Sequence, residues 1–161
     1  MVNVARHILL LILAFILQTT WIHAFEIIGL RPDLVVLVLI YIALRSGSFE
    51  ATLLGFAIGL IQDIDMPHNL GLNALVNAIV GFAVGWVRLH ITAENFLVQI
   101  ALIFGAVLLH DLIYYIGDSS IVWSEIPFFW LRYGPGRALY TSLIGMLLSA
   151  LLLLRRYLLP A

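Results

Sequence analysis

The chain has 161 residues, 63% of them apolar and only 11% charged, with a formal net charge of -1. Soluble domains carry roughly 45–50% apolar and about 25% charged residues, so the polar shell of a water-soluble fold is missing. The same composition excludes a disordered chain, which would be polar and poor in aromatics. Eight Arg with no Lys, set against nine acidic residues, make no basic surface for nucleic acid. With no Cys, the chain has no disulfide framework, thiolate metal site or Cys nucleophile. With a mean hydropathy of +1.11, the expected fold is all-α: a polytopic integral membrane protein with one transmembrane domain over residues 1–161.

A spanning helix needs about 20 mostly apolar residues. The first predicted helix covers 8–25, behind Arg6 and His7, and stops at Glu26 and the breaker Gly29-Leu30-Arg31-Pro32-Asp33. Ile22 and Ala24 make a poor small-x-small cleavage site, so we expect this segment to be retained rather than cut as a signal peptide. The second helix, 34–44, is short, because a run of this length covers only about 16 Å of a core about 30 Å thick. Either Arg31 and Arg45 snorkel outward to lengthen it, or it forms a re-entrant pair with the third helix, 49–64. The fourth covers 70–87 and ends at Arg88-Leu89-His90, the fifth covers 96–116, and the sixth covers 138–154 and closes on Arg155-Arg156.

Cytoplasmic loops are rich in Arg and Lys. Six helices with an inner N-terminus place Arg6, Arg45, Arg88, Arg155 and Arg156 inside and Arg31, Arg132 and Arg137 outside or near the outer interface. Both termini are therefore predicted to be cytoplasmic. Glu26, Asp33, Asp63, Asp65, Asp118 and Glu125 gather at the other end. The longest connection, Gly117 to Gly136, lies on that side and carries Trp123, Phe128, Phe129, Trp130 and Tyr133. These aromatics suit an interfacial belt or a docking patch for a membrane or periplasmic partner.

His110 and Asp111 are predicted near the middle of the fifth helix. An ionisable pair at that depth is costly and is a functional candidate by default. It reads as a proton or ion site, or as a buried pair that locks helices together, with Arg137 a candidate partner placed nearer the outer helix end. Asp63 closes the third helix, where a carboxylate opposes the macrodipole. It therefore needs a partner, such as the backbone amides of the following turn or an Arg. The spacing of Asp63, Asp65 and His68 matches no zinc motif. The chain has no Gly-x-Ser-x-Gly elbow, His-Glu-x-x-His or Walker loop, and it is read as a non-enzyme without cofactor or metal. Gly55-Phe-Ala-Ile-Gly59 and Gly81-Phe-Ala-Val-Gly85 are small-xxx-small patterns, repeated by Ala74 and Ala78, Ala101 and Gly105, and Gly145 and Ser149. Such spacing lets helix backbones approach closely in lipid.

The order of breakers in the first half carries more information than any one motif. Pro32-Asp33-Leu34 opens the second helix, Gly55 and Gly59 lead to Asp63, and Leu70-Gly71 opens the next helix with Ala74 one turn in. This string, in a six-segment chain of this length, resembles the bacterial rod shape-determining protein MreD family. The resemblance implies a non-enzymatic inner-membrane component of the cell-elongation machinery. Such a component works beside a single-pass MreC-like protein, an MreB-like filament and a cell-wall synthase complex that makes peptidoglycan. Pro32, Asp33, Gly55, Gly59, Asp63 and Gly71 then read as architectural, and membrane lipid is an expected neighbour. The family is also similar in outline to the substrate-binding membrane subunits of energy-coupling-factor vitamin transporters. That similarity supplies the alternative, a small-molecule binding subunit whose polar cavity would be lined by His23, Asn73, Asn77 and His110.

Overall fold

The computed structural model describes residues 2–20, 26, 29–91 and 96–158. Among them the fold is all-helical: α1 Val2–Thr20, α2 Leu34–Ser46, α3 Ser48–Asp63, α4 Leu72–Val87, α5 Phe96–Gly117 and α6 Ile126–Leu158. Single 3-10 turns follow α3 at Pro67–Asn69 and α4 at Arg88–His90, and another precedes α6 at Trp123–Glu125. The expected first helix ran to residue 25. Its last five residues, with His23, lie outside the described residues.

The shortest helix is the most enclosed. Val35, Val36, Leu37, Leu39, Ile40, Ile42 and Ala43 of α2 are all buried, so α2 packs inside the bundle along both edges. At 13 residues it is about 20 Å long. A helix wrapped by its neighbours need not match the thickness of lipid. Its N-terminus is therefore recessed, and that recess positions the polar site described below. Only Gly47 separates α2 from α3, at φ +94°, where a residue without Cβ turns the chain at no steric cost.

α3 and α4 pack backbone to backbone through both Gly-Phe-Ala-x-Gly stretches. A Cβ on Gly59 would lie 2.4 Å from Ala74 Cα, and one on Gly55 would lie 2.7 Å from the Asn77 carbonyl oxygen. In return, a Cβ on Gly85 would lie 2.4 Å from Ser48 Cα, and one on Gly81 would lie 2.6 Å from the Ala51 carbonyl oxygen. The two stretches thus grip opposite ends of one antiparallel pair. Gly105 differs, since its added Cβ meets nothing within 4 Å. Among the small-residue pairs, Ala101 and Gly105 stay on the exposed face of α5.

Asp63 caps α4 from the end of α3. Its carboxylate accepts from Asn73 N at 3.0 Å, Asn73 Nδ2 at 2.9 Å and Ala74 N at 3.0 Å. The charge that opposes the dipole of its own helix thereby sits at the favourable N-terminus of the next. Gly71 occupies the cap position at φ +89° and offers no side chain of its own. Replacing Asp63 by Ala is expected to destabilise the fold by about 1–3 kcal/mol, the cost of leaving buried donors unmade. Thermal unfolding in detergent reads this directly, and Asp63→Asn should cost less.

The sixth helix was expected from residue 138 behind a long loop, but it starts at Ile126 and runs through Pro135. Pro135 removes one intrahelical hydrogen bond, a loss that helices packed in a membrane tolerate. Pro127 sits at the second helical position, where no amide is needed. Of the expected connection, only residues 118–125 lie outside α-helix.

That connection is pinned to the α3–α4 turn. Asn69 Nδ2 donates to Asp118 Oδ1 at 2.9 Å, while Ser119 N and Oγ donate back to Asn69 Oδ1. Ser120 donates to Asp118 through both its amide and its hydroxyl. Desolvation acts to raise the Asp118 pKa, but the bonds from Ser120 and Asn69 prevail and hold it below the usual carboxylate value. Because the folded value is the lower one, this contribution is complete above the unfolded carboxylate pKa of about 3.9. It fades as pH falls through the folded value. We expect the Ser120 amide protection factor, corrected for intrinsic exchange, to be flat from neutral pH down to that range and to drop below it. Ser119→Ala should lower it at all pH values.

Candidate functional site

The N-terminus of α2 lies inside the bundle, and every amide of its first turn is satisfied. Gln18 Oε1 of α1 accepts from Leu34 N at 2.9 Å and Val35 N at 3.0 Å. Asp33 Oδ1 accepts from Val36 N at 2.9 Å. The Asp33 amide donates to Thr141 Oγ1 of α6 at 3.1 Å, and the Thr141 hydroxyl donates to the Arg137 carbonyl. Pro32 is buried just ahead of this cap.

Arg137 joins three helices here. Its Nη2 donates to Asp33 Oδ2, and its Nη1 donates to Asp111 Oδ1 of α5 at 2.7 Å. His110 Nδ1 lies 3.2 Å from the same Asp111 oxygen. Asp33, His110 and Asp111 are almost wholly enclosed, and Arg137 is about a quarter exposed. The planar guanidinium can fork to two carboxylates at once, which a point-like ammonium cannot. Among the described residues, Asp111 Oδ2 has no hydrogen-bond partner.

Two sequence expectations change at this site. His110 and Asp111 lie about two-thirds of the way along α5, six to seven residues before Gly117, rather than at its middle. Arg137 was expected near the outer helix end. Because α6 starts eleven residues before Arg137, that side chain sits about 16 Å along the helix, level with Asp111 and with the recessed α2 cap.

A cavity of about 350 Å³ adjoins the ion cluster, and Gln18, Asp33, Asn73, His110, Tyr114 and Arg137 contribute to its wall. Of the residues expected to line a polar cavity, Asn73 and His110 do so. Asn77 does not, being fully buried with its Nδ2 donating to Gln62 Oε1 at 2.7 Å. Asp63 is committed to the α4 amides, and no cluster of three potential metal ligands exists among the described residues.

The aromatic group divides into two. Trp123 is 75% exposed and Phe128 58% exposed. Phe129 packs against Tyr115 of α5 at 6.5 Å between ring centres, and Trp130 Nε1 donates to the Leu108 carbonyl at 3.1 Å. Phe129 and Trp130 therefore bind α6 to α5, and only Trp123 and Phe128 face outward. At the opposite end of the bundle, buried His7 Nδ1 lies 2.6 Å from Glu50 Oε1, a pair that the sequence reading missed. The only signal available for it was an ionisable residue on the apolar first helix. Gln18 was missed in the same way.

A family model described as rod shape-determining protein MreD matches residues 2–159. The chain belongs to this family. No curated protein and no solved structure matches it. Membership of the MreD family implies a role in determining rod shape, and the family is one of membrane proteins with a structural, shape-determining part. In keeping with that, two helical stretches among the described residues, Leu72–His90 and Leu97–Gly117, are long and apolar enough to cross a membrane. Two shorter apolar helices are Val4–Thr20 and Leu34–Ser46. The outer faces of α1 and α3 carry Leu9, Leu13, Ile16, Phe49, Leu53 and Phe56, all exposed, as lipid contact requires.

Proposed function

We propose that this MreD-family chain is a multi-pass scaffold of the bacterial inner membrane, with both termini cytoplasmic, that positions the cell-elongation machinery. Its partner would be an MreC-like single-pass protein. Through it the chain would couple an MreB-like cytoplasmic filament to the cell-wall synthase complex outside. The observation that carries this reading is the family match across residues 2–159. Arg6, Arg45 and Arg88 lie at the helix ends opposite the acidic cluster, which supports the orientation.

The small residues bear on where such a partner helix would sit. Gly55, Gly59, Gly81 and Gly85 are consumed by the α3–α4 contact and are not lipid-facing. Ala101 and Gly105 remain open on α5, and the partner helix would lie there, with Trp123 and Phe128 meeting its periplasmic base. Depletion should round the cells, and the wild-type chain should restore rods. Gly105→Phe should reduce recovery of the partner without lowering the melting temperature. Rods that persist after deletion would reject the reading.

The polar cavity favours one other reading, a vitamin-type transporter subunit. A vitamin retained by the purified chain would support it.

A further inference from the structure

We propose that the cavity beside the ion cluster binds a protonated primary amine, supplied either by an aminophospholipid headgroup or by a free small amine. This goes beyond the scaffold reading and does not depend on it.

The charge balance selects a cation. Arg137 is the only formally cationic Arg or Lys among the described residues lining the cavity. Its guanidinium is already shared between Asp33 and Asp111. An anion entering the cavity would have to compete with two carboxylates held at hydrogen-bond distance. Asp65 adds a further carboxylate, so the wall carries Asp33 and Asp65 against one guanidinium that Asp111 already shares from behind.

The unused hydrogen-bonding groups select an amine with N–H donors. His110 is only 4% exposed yet lines the cavity. In the neutral ring, the Nδ1 proton goes to the acceptor-only carboxylate of Asp111, which leaves Nε2 as a lone-pair acceptor. That Nε2 has no hydrogen-bond partner among the described residues. Asn73 is similarly polarised, because its Nδ2 is spent on Asp63 and its Oδ1 is left without a partner there. Two neutral acceptors and the Asp65 carboxylate thus line one space. Phe15 and Tyr114 supply aromatic wall, and aromatic faces attract cations. The volume of about 350 Å³ lies within the range of small-ligand sites.

The test uses the full chain purified in maltoside detergent. Its melting temperature is followed against ethanolamine, choline and sodium chloride at matched ionic strength, since a ligand that binds only the folded state stabilises it. In parallel, native mass spectrometry compares retention of phosphatidylethanolamine, phosphatidylcholine and phosphatidylglycerol. A rise with ethanolamine but not with choline or salt, or selective retention of phosphatidylethanolamine, is the expected result. The first alone identifies a free amine and the second alone a lipid headgroup. Asp65→Asn, on an exposed turn, should shift the midpoint to higher ligand concentration. His110→Phe keeps the ring stacked on Tyr114 but removes the acceptor, and it should weaken binding about tenfold, as expected for a lost charge-assisted hydrogen bond. Superposable melting curves together with indiscriminate lipid retention would overturn the proposal. A wild-type response left unchanged by both substitutions would overturn it as well.

Discussion

Replacing Arg137 by Met is expected to destabilise the bundle by about 3–5 kcal/mol, the usual cost of breaking a buried ion pair by removing one partner. Asp33 and Asp111 would then face each other across α2 and α5 without a counter-charge. The Asp33 carboxylate would also be pulled between capping Val36 and finding water. Little folded protein should accumulate in membranes, and rod shape should not be restored in a depleted strain. Arg137→Lys should retain part of the stability, because one ammonium serves one carboxylate well and two poorly. Adding Asp111→Leu to Arg137→Met should recover part of the loss, because an apolar replacement no longer leaves that charge buried alone. Unfolding of the single and double variants in the same detergent checks all three. A Met variant as stable as the parent would show that the cluster holds nothing together.

The second large effect concerns the α3–α4 contact. Gly59→Ala and Gly85→Ala each drive a Cβ to 2.4 Å from a partner Cα, where only movement of backbone gives relief. Each should cost about 1–3 kcal/mol, the range for overpacking, and the pair together should separate the two helices. Gly105→Ala is the internal control. Its Cβ enters open space, and the better helix propensity of Ala by about 1 kcal/mol should leave stability equal or higher. If all three variants melted alike, close approach through these glycines would not be what joins α3 to α4.

Much of this architecture was legible in the residues. Two matching Gly-x-x-x-Gly stretches on consecutive segments foretell a close antiparallel pair, since in lipid only small residues let backbones meet. A carboxylate at the end of α3 is unfavourable where it stands and so announces a partner elsewhere, which the α4 amides prove to be. The ion cluster was harder to read. Taking Pro135 and its flanking glycines as a loop moved the start of α6 by twelve residues. That shift placed Arg137 at a helix end instead of beside Asp111. A proline inside a helix loses one hydrogen bond and crowds the carbonyl four residues back, and packed neighbours and local adjustment of the helix can absorb that cost without ending it. Pairing of Asp33 with Arg137, 104 residues apart, and of His7 with Glu50, 43 apart, depends on which helices are neighbours. No local spacing encodes that. The cavity likewise exists because a short α2 is recessed among longer helices, a property of the assembled bundle.

In the proposed role the chain holds other proteins in place. The most direct measurement is a pull-down of the full-length chain from native membranes, with quantitative mass spectrometry of both proteins and small molecules. A single-pass, MreC-like protein should be recovered in amounts comparable to the bait, with cell-wall synthase components present at lower yield. Recovery instead of ATP-hydrolysing transporter subunits with a bound vitamin, and of no single-pass partner, would contradict that role.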